Sequence, residues 1–301
     1  MEWQQILGFY HVARTGSFTK AADRVFRTQS ALSQQVKALE DEFGCLLFER
    51  IGKRRLRLTP AGERFLSFAE DLLDRHEALK EDLQRLAGHT TGRLRIAAPF
   101  TTLYHLLPYP LKKYVEAFPD VRLTLLDSPQ PKVIDLVKNG DVDFGVILAS
   151  SVPEDVRSFG WLSVRTVLIV PQGHPLCRTE RVTVQDMADY PIIVPPDTSE
   201  YPMRARLERL FHAQRKPLHI IMESSNVELS SLYVEMGFGL CFAMIAPDVL
   251  PIAHRKLAFI PLDHYFQPDP ISVIVRKTCV MTPIREAFIA VLLGDASSPP
   301  G

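Results

Sequence analysis

Residues 16–48 read GSFTKAADRVFRTQSALSQQVKALEDEFGCLLF, and this stretch decides the fold of the N-terminal part of the chain. Ser17 or Thr19 stands where an N-cap is wanted, ahead of a short helix carrying Ala21, Ala22 and Val25; Thr28 stands ahead of a second helix. At about 100° per residue, Leu32, Val36, Leu39 and Phe43 of that second helix fall on one apolar stripe. Ser30, Gln34, Lys37 and Asp41 fall on the opposite face, with Ser33 beside them and Gln29 at the exposed start. The pattern is that of a helix-turn-helix whose second helix offers Thr28, Gln29, Ser30, Ser33, Gln34 and Lys37 to DNA. Amides at a helix N-terminus suit phosphate, and Gln, Ser and Lys side chains reach base edges in a major groove. An ordinary amphipathic helix pair has the same periodicity, so spacing alone leaves both readings open.

A basic cluster follows. Arg50, Lys53, Arg54, Arg55 and Arg57 lie within eight residues, around Gly52 and between the apolar anchors Phe48 and Leu58. Gly52-Lys53 can turn a short hairpin, a wing whose tip reaches phosphates or a minor groove; a solvated charge run is the bland alternative. Over the whole chain, 35 Lys+Arg balance 35 Asp+Glu, which gives no global nucleic-acid signal. The distribution is more telling. Residues 1–62 hold ten basic and six acidic residues, a net +4, whereas residues 63–91 hold four and seven, a net −3. Positive charge is therefore concentrated beside the helix-turn-helix, as DNA binding at one end requires.

Phe9, Val12, Ala13, Gly16-Ser17-Phe18-Thr19, Ala21-Ala22, Gln29-Ser30-Ala31-Leu32-Ser33, Leu39-Glu40, Phe43-Gly44, Leu47-Phe48, Arg50 and Leu58-Thr59-Pro60-Ala61-Gly62 closely resemble the opening domain of LysR-type transcriptional regulators. Ser30 stands where that family often has Pro, which would only pre-set the first helical turn. The resemblance implies a winged helix-turn-helix over residues 1–62, double-stranded promoter DNA as a partner, and Arg50, Lys53, Arg54, Arg55 and Thr59 as wing-side contacts. RNA polymerase is a further partner on this reading.

Next comes a long helix, expected from Glu63 to about Ala87 and ended by Gly88. Phe65, Ala69, Leu72, His76, Leu79, Leu83 and Leu86 recur at alternating spacings of four and three, a heptad stripe. Phe65, Leu72, Leu79, Leu83 and Leu86 are the expected pairing positions of a dimer, with packing on the following domain as the alternative. The family pairs subunits through this linker (63–88) and builds a tetramer as a dimer of dimers, so the resemblance implies a homo-oligomer.

From Gly92 the pattern alternates between strands and helices, which implies a largely parallel sheet covered by helices. Expected strands are Leu94–Ala98, Val121–Leu125, Val142–Leu148, Val167–Val170, Ile192–Val194, Ile220–Glu223, Leu240–Ala243 and Ile271–Val275. Expected helices are Leu106–Ala117, Val133–Lys138, Met203–His212, Val227–Met236 and Pro283–Leu293. Order and local motifs, among them Gly140-Asp141-Val142-Asp143-Phe144-Gly145 and Gly237-Phe238-Gly239-Leu240, resemble the LysR-type effector domain. That implies a two-lobed α/β fold of the periplasmic-binding-protein-like type 2 class, with lobe I in 92–162 plus 268–295 and lobe II in 163–267. The chain would cross near Ser163 and return near Pro268. A small effector, anionic or polar, would sit in the cleft at strand C-termini and helix N-termini. Thr101 and Thr102, Ala149 and Ser150, Thr198 and Ser199, and Asn226 are the candidate contacts, although hydroxyl and amide residues ahead of helices can also be simple caps.

Other classes find little support. The chain has no HExxH, Gly-x-Ser-x-Gly, Walker A or GxGxxG pattern, so it reads as a regulator and not an enzyme, and no cofactor is expected. Cys45, Cys177, Cys241 and Cys279 are scattered without metal-ligand spacing and read as reduced thiols in a cytoplasm. Oxidation of Cys177 and Cys241 is the rival sensing mechanism, but the pair is 64 residues apart in sequence and only Arg178 lies nearby to lower a thiol pKa. No apolar run is long enough for a signal peptide or a membrane span.

Overall fold

The computed structural model describes residues 1–51, 55–87, 91–198, 202–246 and 255–294 of the 301-residue chain. The chain divides into two units, Met1–Thr91 with Thr278–Pro283, and Gly92–Lys277 with the chain from Ile284 onward.

The first unit begins with α1 (Trp3–Thr15), α2 (Phe18–Val25) and α3 (Gln29–Phe43). It continues through β1 (Phe48–Ile51), β2 (Arg55–Leu58) and α4 (Pro60–Leu86). Ser17 caps α2 and Thr28 caps α3, accepting from Lys20 N and Ala31 N at 3.4 and 3.2 Å. Ile6, Phe9, Val12, Ala21, Ala22, Leu32, Val36 and Leu39 meet Leu47, Phe48, Phe65 and Ala69 in one core. Rings fill its centre, Phe9 lying 4.7 Å edge-on from Phe65 and 5.0 Å from Phe48. Phe43 departs from the expected stripe. It is 49 % exposed and touches the core only through its ring, 5.5 Å from Phe65. Gly62 follows from close approach, because a Cβ there would clash with the Leu47 carbonyl oxygen.

The second unit opens with β3 (Gly92–Ala98), a π-helical turn (Thr102–Leu106) and α5 (Pro108–Ala117), followed by β4 (Val121–Asp127), α6 (Gln130–Lys138) and β5 (Phe144–Leu148). The 16-residue strand β6 (Val156–Pro171) leads to α7 (Val184–Ala188), β7 (Ile192–Val194), α8 (Pro202–Ala213), β8 (Ile220–Glu223), α9 (Val227–Glu235) and β9 (Leu240–Ile245). β10 (Leu257–Pro261), β11 (Asp269–Arg276) and α10 (Pro283–Leu293) complete the order. The strands run β4-β3-β5-β11-β6-β9-β7-β8, with β10 also on β6. β6 belongs to both halves: Val156–Val164 pair with β11, and Arg165–Ile169 pair with β9. Each half has its own core. Val133, Val137, Val142, Ile147 and Ile274 pack in lobe I; Leu168, Val184, Met187, Leu207, Phe211 and Leu262 pack in lobe II.

Asp143, the residue just ahead of β5, is the buried hub of lobe I. Its carboxylate accepts from Arg95 N at 2.8 Å, Arg95 Nε at 3.2 Å and Arg285 Nη2 at 2.7 Å, joining β3, β5 and α10. Burial works against its charge, but the Arg95 hydrogen bonds and the Arg285 and Arg95 charges outweigh it and hold the carboxyl below the usual range. No helix among the described residues is long and apolar enough to cross a membrane.

Candidate DNA-reading surface and effector cavity

The apolar stripe of α3 turns inward, so Leu32 and Leu39 are fully buried while Gln29, Ser30, Gln34 and Lys37 are exposed and Ser33 is half-buried. Thr28, also exposed, caps the helix and lies 3.1 Å from the Ser30 hydroxyl. All six expected recognition residues thus sit on the start and outer face of one helix. β1 and β2 form an antiparallel hairpin from Phe48↔Leu58 to Ile51↔Arg55, with Arg57 exposed and its Nε 4.0 Å from Glu49. Lys53 and Arg54 lie outside the described residues, as do the side chains of Arg50 and Arg55. Thr59 has a structural duty at the foot of the hairpin: its hydroxyl donates to Leu46 O at 2.6 Å and accepts from Gly62 N at 3.0 Å, so it caps α4.

The heptad stripe of α4 also divides. Phe65, expected at a subunit interface, is only 8 % exposed and belongs to the core of its own unit, as does Ala69; Leu72 is half-buried against that core. The reason is that α4 starts at Pro60, so its first turns pack on α1 and the hairpin. Leu79, Leu83 and Leu86 are 56, 57 and 82 % exposed. His76 faces Trp3, with ring centroids 4.5 Å apart.

Within the second unit a cavity of about 120 Å³ lies between the lobes. Thr101, the cap of the π-helical turn, and Thr102, His105 and Leu106 within it line one side, and Gln130, Ile147, Leu148 and Ile271 line it from the rest of lobe I. Val164 on the shared strand, Val227, and Ala243 to Ala246 close the other side. The walls are mostly aliphatic, and none of the lining residues is lysine or arginine. Gln130 Oε1 accepts from Leu148 N at 2.9 Å, which leaves its NH2 as the amide donor. His105 Nε2 meets Glu228 Oε1 at 2.5 Å, joining the π-helical turn of lobe I to α9 of lobe II. The Tyr104 ring, 4.9 Å from the imidazole, stacks on Phe100 and backs the pair.

Of the residues expected to hold an effector, Thr101 and Thr102 line this cavity. Ala149, Ser150, Thr198 and Asn226 do not, and Ser199 lies outside the described residues. Ser150 donates from its backbone amide and its hydroxyl to Asp269. Asn226 is a helix cap, its Oδ1 accepting from Glu228 N and Leu229 N at 2.8 and 3.3 Å. The backbone amide of Thr102 is engaged within its own turn, as is that of Leu103, since both donate to Pro99 O. Sequence reasoning misses His105, Gln130 and Glu228, whose meeting depends on the closure of the lobes and leaves no local pattern. Cys241 is 1 % exposed in β9, where burial pushes its thiol up to about 12. That removes the thiolate that peroxide sensing at this residue needs.

Comparison with known proteins agrees with this architecture. Residues 3–63 match the family model described as bacterial regulatory helix-turn-helix protein, lysR family, and residues 87–297 match the LysR substrate binding domain. The HTH-type transcriptional regulator SsuR of Burkholderia cenocepacia is 28 % identical over 92 % of this chain and 90 % of its own. The HTH-type transcriptional regulator cbl of Escherichia coli is 30 % identical over 80 and 76 %. In fold, the chain resembles a full-length point variant of OxyR from Pseudomonas aeruginosa (TM-score 0.67, 22 % identity, 100 % of this chain and 99 % of that one). It also resembles full-length CbnR complexed with its target DNA (TM-score 0.57, 21 % identity, 98 and 100 %). With both parts matched along nearly their whole length, the chain belongs to the LysR family of DNA-binding transcriptional regulators and carries that family's effector-binding domain.

Proposed function

We propose that this regulator grips promoter DNA as a homodimer, with α3 of each subunit reading bases and the hairpin holding phosphates, and that a small effector in the interlobe cavity sets its transcriptional state. Leu79, Leu83 and Leu86, the uncovered end of the α4 stripe, supply the pairing surface, and two such dimers associate into a tetramer. On this reading the protein works in the cytoplasm, acts on RNA polymerase from the promoter, and binds its effector without chemistry.

The observation that carries the effector assignment is the cavity itself, lined from both lobes and bridged by the His105–Glu228 contact. At about 120 Å³ it lies well below the roughly 300–1,000 Å³ of common ligand sites, so it fits a compact molecule of few heavy atoms. Hydroxyls of Thr101 and Thr102 and the Gln130 amide can donate to one or two acceptor atoms, while Ile147, Leu148 and Ile271 suit an apolar body. With no lysine or arginine in a lining that is mostly aliphatic, a small polar molecule with an apolar part is favoured over a multiply charged anion. The test is a melting-temperature screen of compact metabolites on the full-length protein. A true effector at about 100 Kd stabilises by about 2.7 kcal/mol, and Thr102→Val should abolish that shift. Shifts given only by multiply charged anions, or a shift untouched by Thr102→Val, would refute the assignment.

A further inference from the structure

Phe26 is the most exposed large apolar residue of the described chain, at 94 %, and its backbone is left-handed, with φ 54°. It stands at the C-cap of α2, where its amide donates to Ala22 O and the next amide, that of Arg27, donates to the same oxygen. The same unit shows what folding alone prefers at such a place. The C-caps of α1 and α3 have nearly the same backbone, φ 62° and 63°, and both are glycine, Gly16 and Gly44. A bulky side chain in this conformation is strained, and Phe26 buries no surface to offset the strain. Strain of this kind is retained where a side chain has work outside the fold.

The position says what that work is. Phe26 lies two residues before Thr28, the cap of α3, and is flanked by Arg24 and Arg27. Both arginines are exposed, and neither has a carboxylate ion-pair partner among the described residues. Two exposed cations suited to phosphates therefore bracket Phe26 in the sequence, three residues ahead of Gln29. We propose that Phe26 is a DNA contact, its ring meeting a thymine methyl group in the major groove next to the bases read by α3. This rests on the assignment of the α3 face to DNA.

The test uses the full-length protein and an operator duplex selected with it from random sequence. Stability of the DNA-binding unit is followed by Trp3 fluorescence in a Trp161→Phe background, where Trp3 is the sole tryptophan. Phe26→Gly should raise its unfolding midpoint by a few degrees, because the strain is relieved. The same change should weaken operator binding about fivefold or more without altering the salt slope, since no phosphate contact is lost. Replacing operator thymines by uracil one at a time should reveal a position that weakens the wild type and leaves Phe26→Gly unchanged. A lower midpoint in Phe26→Gly, equal losses on operator and random duplex, or a uracil scan with no such position would overturn the proposal. Unchanged DNA affinity with lost transcription would also overturn it and give the ring to a protein partner. Gln34→Ala in the same titration separates the two levels: if it too leaves operator preference unchanged, the α3 face itself is misassigned.

Discussion

Asp143 is 5 % exposed and carries its charge only because Arg95 and Arg285 surround it. Its carboxyl is held below the roughly 3.9 of an unfolded aspartate, so its contribution to stability is full above about pH 4. That contribution is lost as pH falls through the folded value. Asp143→Asn should cost about 3–5 kcal/mol, the usual penalty for breaking one side of a buried ion pair, and should flatten this acid dependence. Urea titrations between pH 3 and 7 check both points, and a variant as stable as the parent would remove Asp143 from its place as hub. Gln34 makes the contrasting case of a side chain with no structural duty. Exposed on α3, it should tolerate Ala with stability unchanged, while preference for operator over random duplex falls by about 1–3 kcal/mol and the salt slope stays fixed. Competition titrations at several salt concentrations measure this, and a changed salt slope would mean that Gln34 holds a phosphate instead.

Elements differ in how far their own residues announce them. β7, β8 and α10 match their expected bounds, because Ile192–Val194 and Ile220–Glu223 are short apolar-rich runs and Pro283 opens a long apolar helix. The first half of β6 is not legible in the same way. Gly160 and the serines at 158 and 163 break its alternation, and its pairing with β11 is decided by contacts more than a hundred residues away. β10 escapes for a similar reason, since Leu257–Pro261 is held by pairing with Val167–Pro171. In α4 the stripe is legible but its use is not: spacing gives the face, and only the packing shows that Phe65 is covered from within. The exposed end should still pair subunits. Leu79→Glu with Leu83→Glu should convert dimers to monomers, since apposed carboxylates would have to be desolvated at the seam. Light scattering reads the mass, and an unchanged mass would place the seam elsewhere. The contact between the π-helical turn and α9 yields a coupling test. In a double-mutant cycle, His105→Gln and Glu228→Gln should show an interaction energy of about 0.5–3 kcal/mol, whereas additive effects would mean that the lobes close without it.

For the molecule as a whole, the family membership, the helix-turn-helix and the two-lobed domain are readable because they rest on local motifs and periodicity. The cavity is only half readable, because Thr101 and Thr102 lie on one loop whereas Gln130, His105 and Glu228 converge from separate elements. One claim joins the two ends of the chain: occupancy of the interlobe cavity governs what the DNA-bound protein does. Such coupling amounts to about 1–3 kcal/mol, large enough for a several-fold change in output. The direct measurement is transcription from the selected operator, with and without the stabilising metabolite, for the wild type, Thr101→Val with Thr102→Val, and a variant with all four cysteines replaced by serine. The wild type and the cysteine-free protein should respond, and the threonine variant should not, although its operator affinity stays intact. A threonine variant that still responds, beside a cysteine-free protein that does not, would contradict the claim and place the sensor at a thiol.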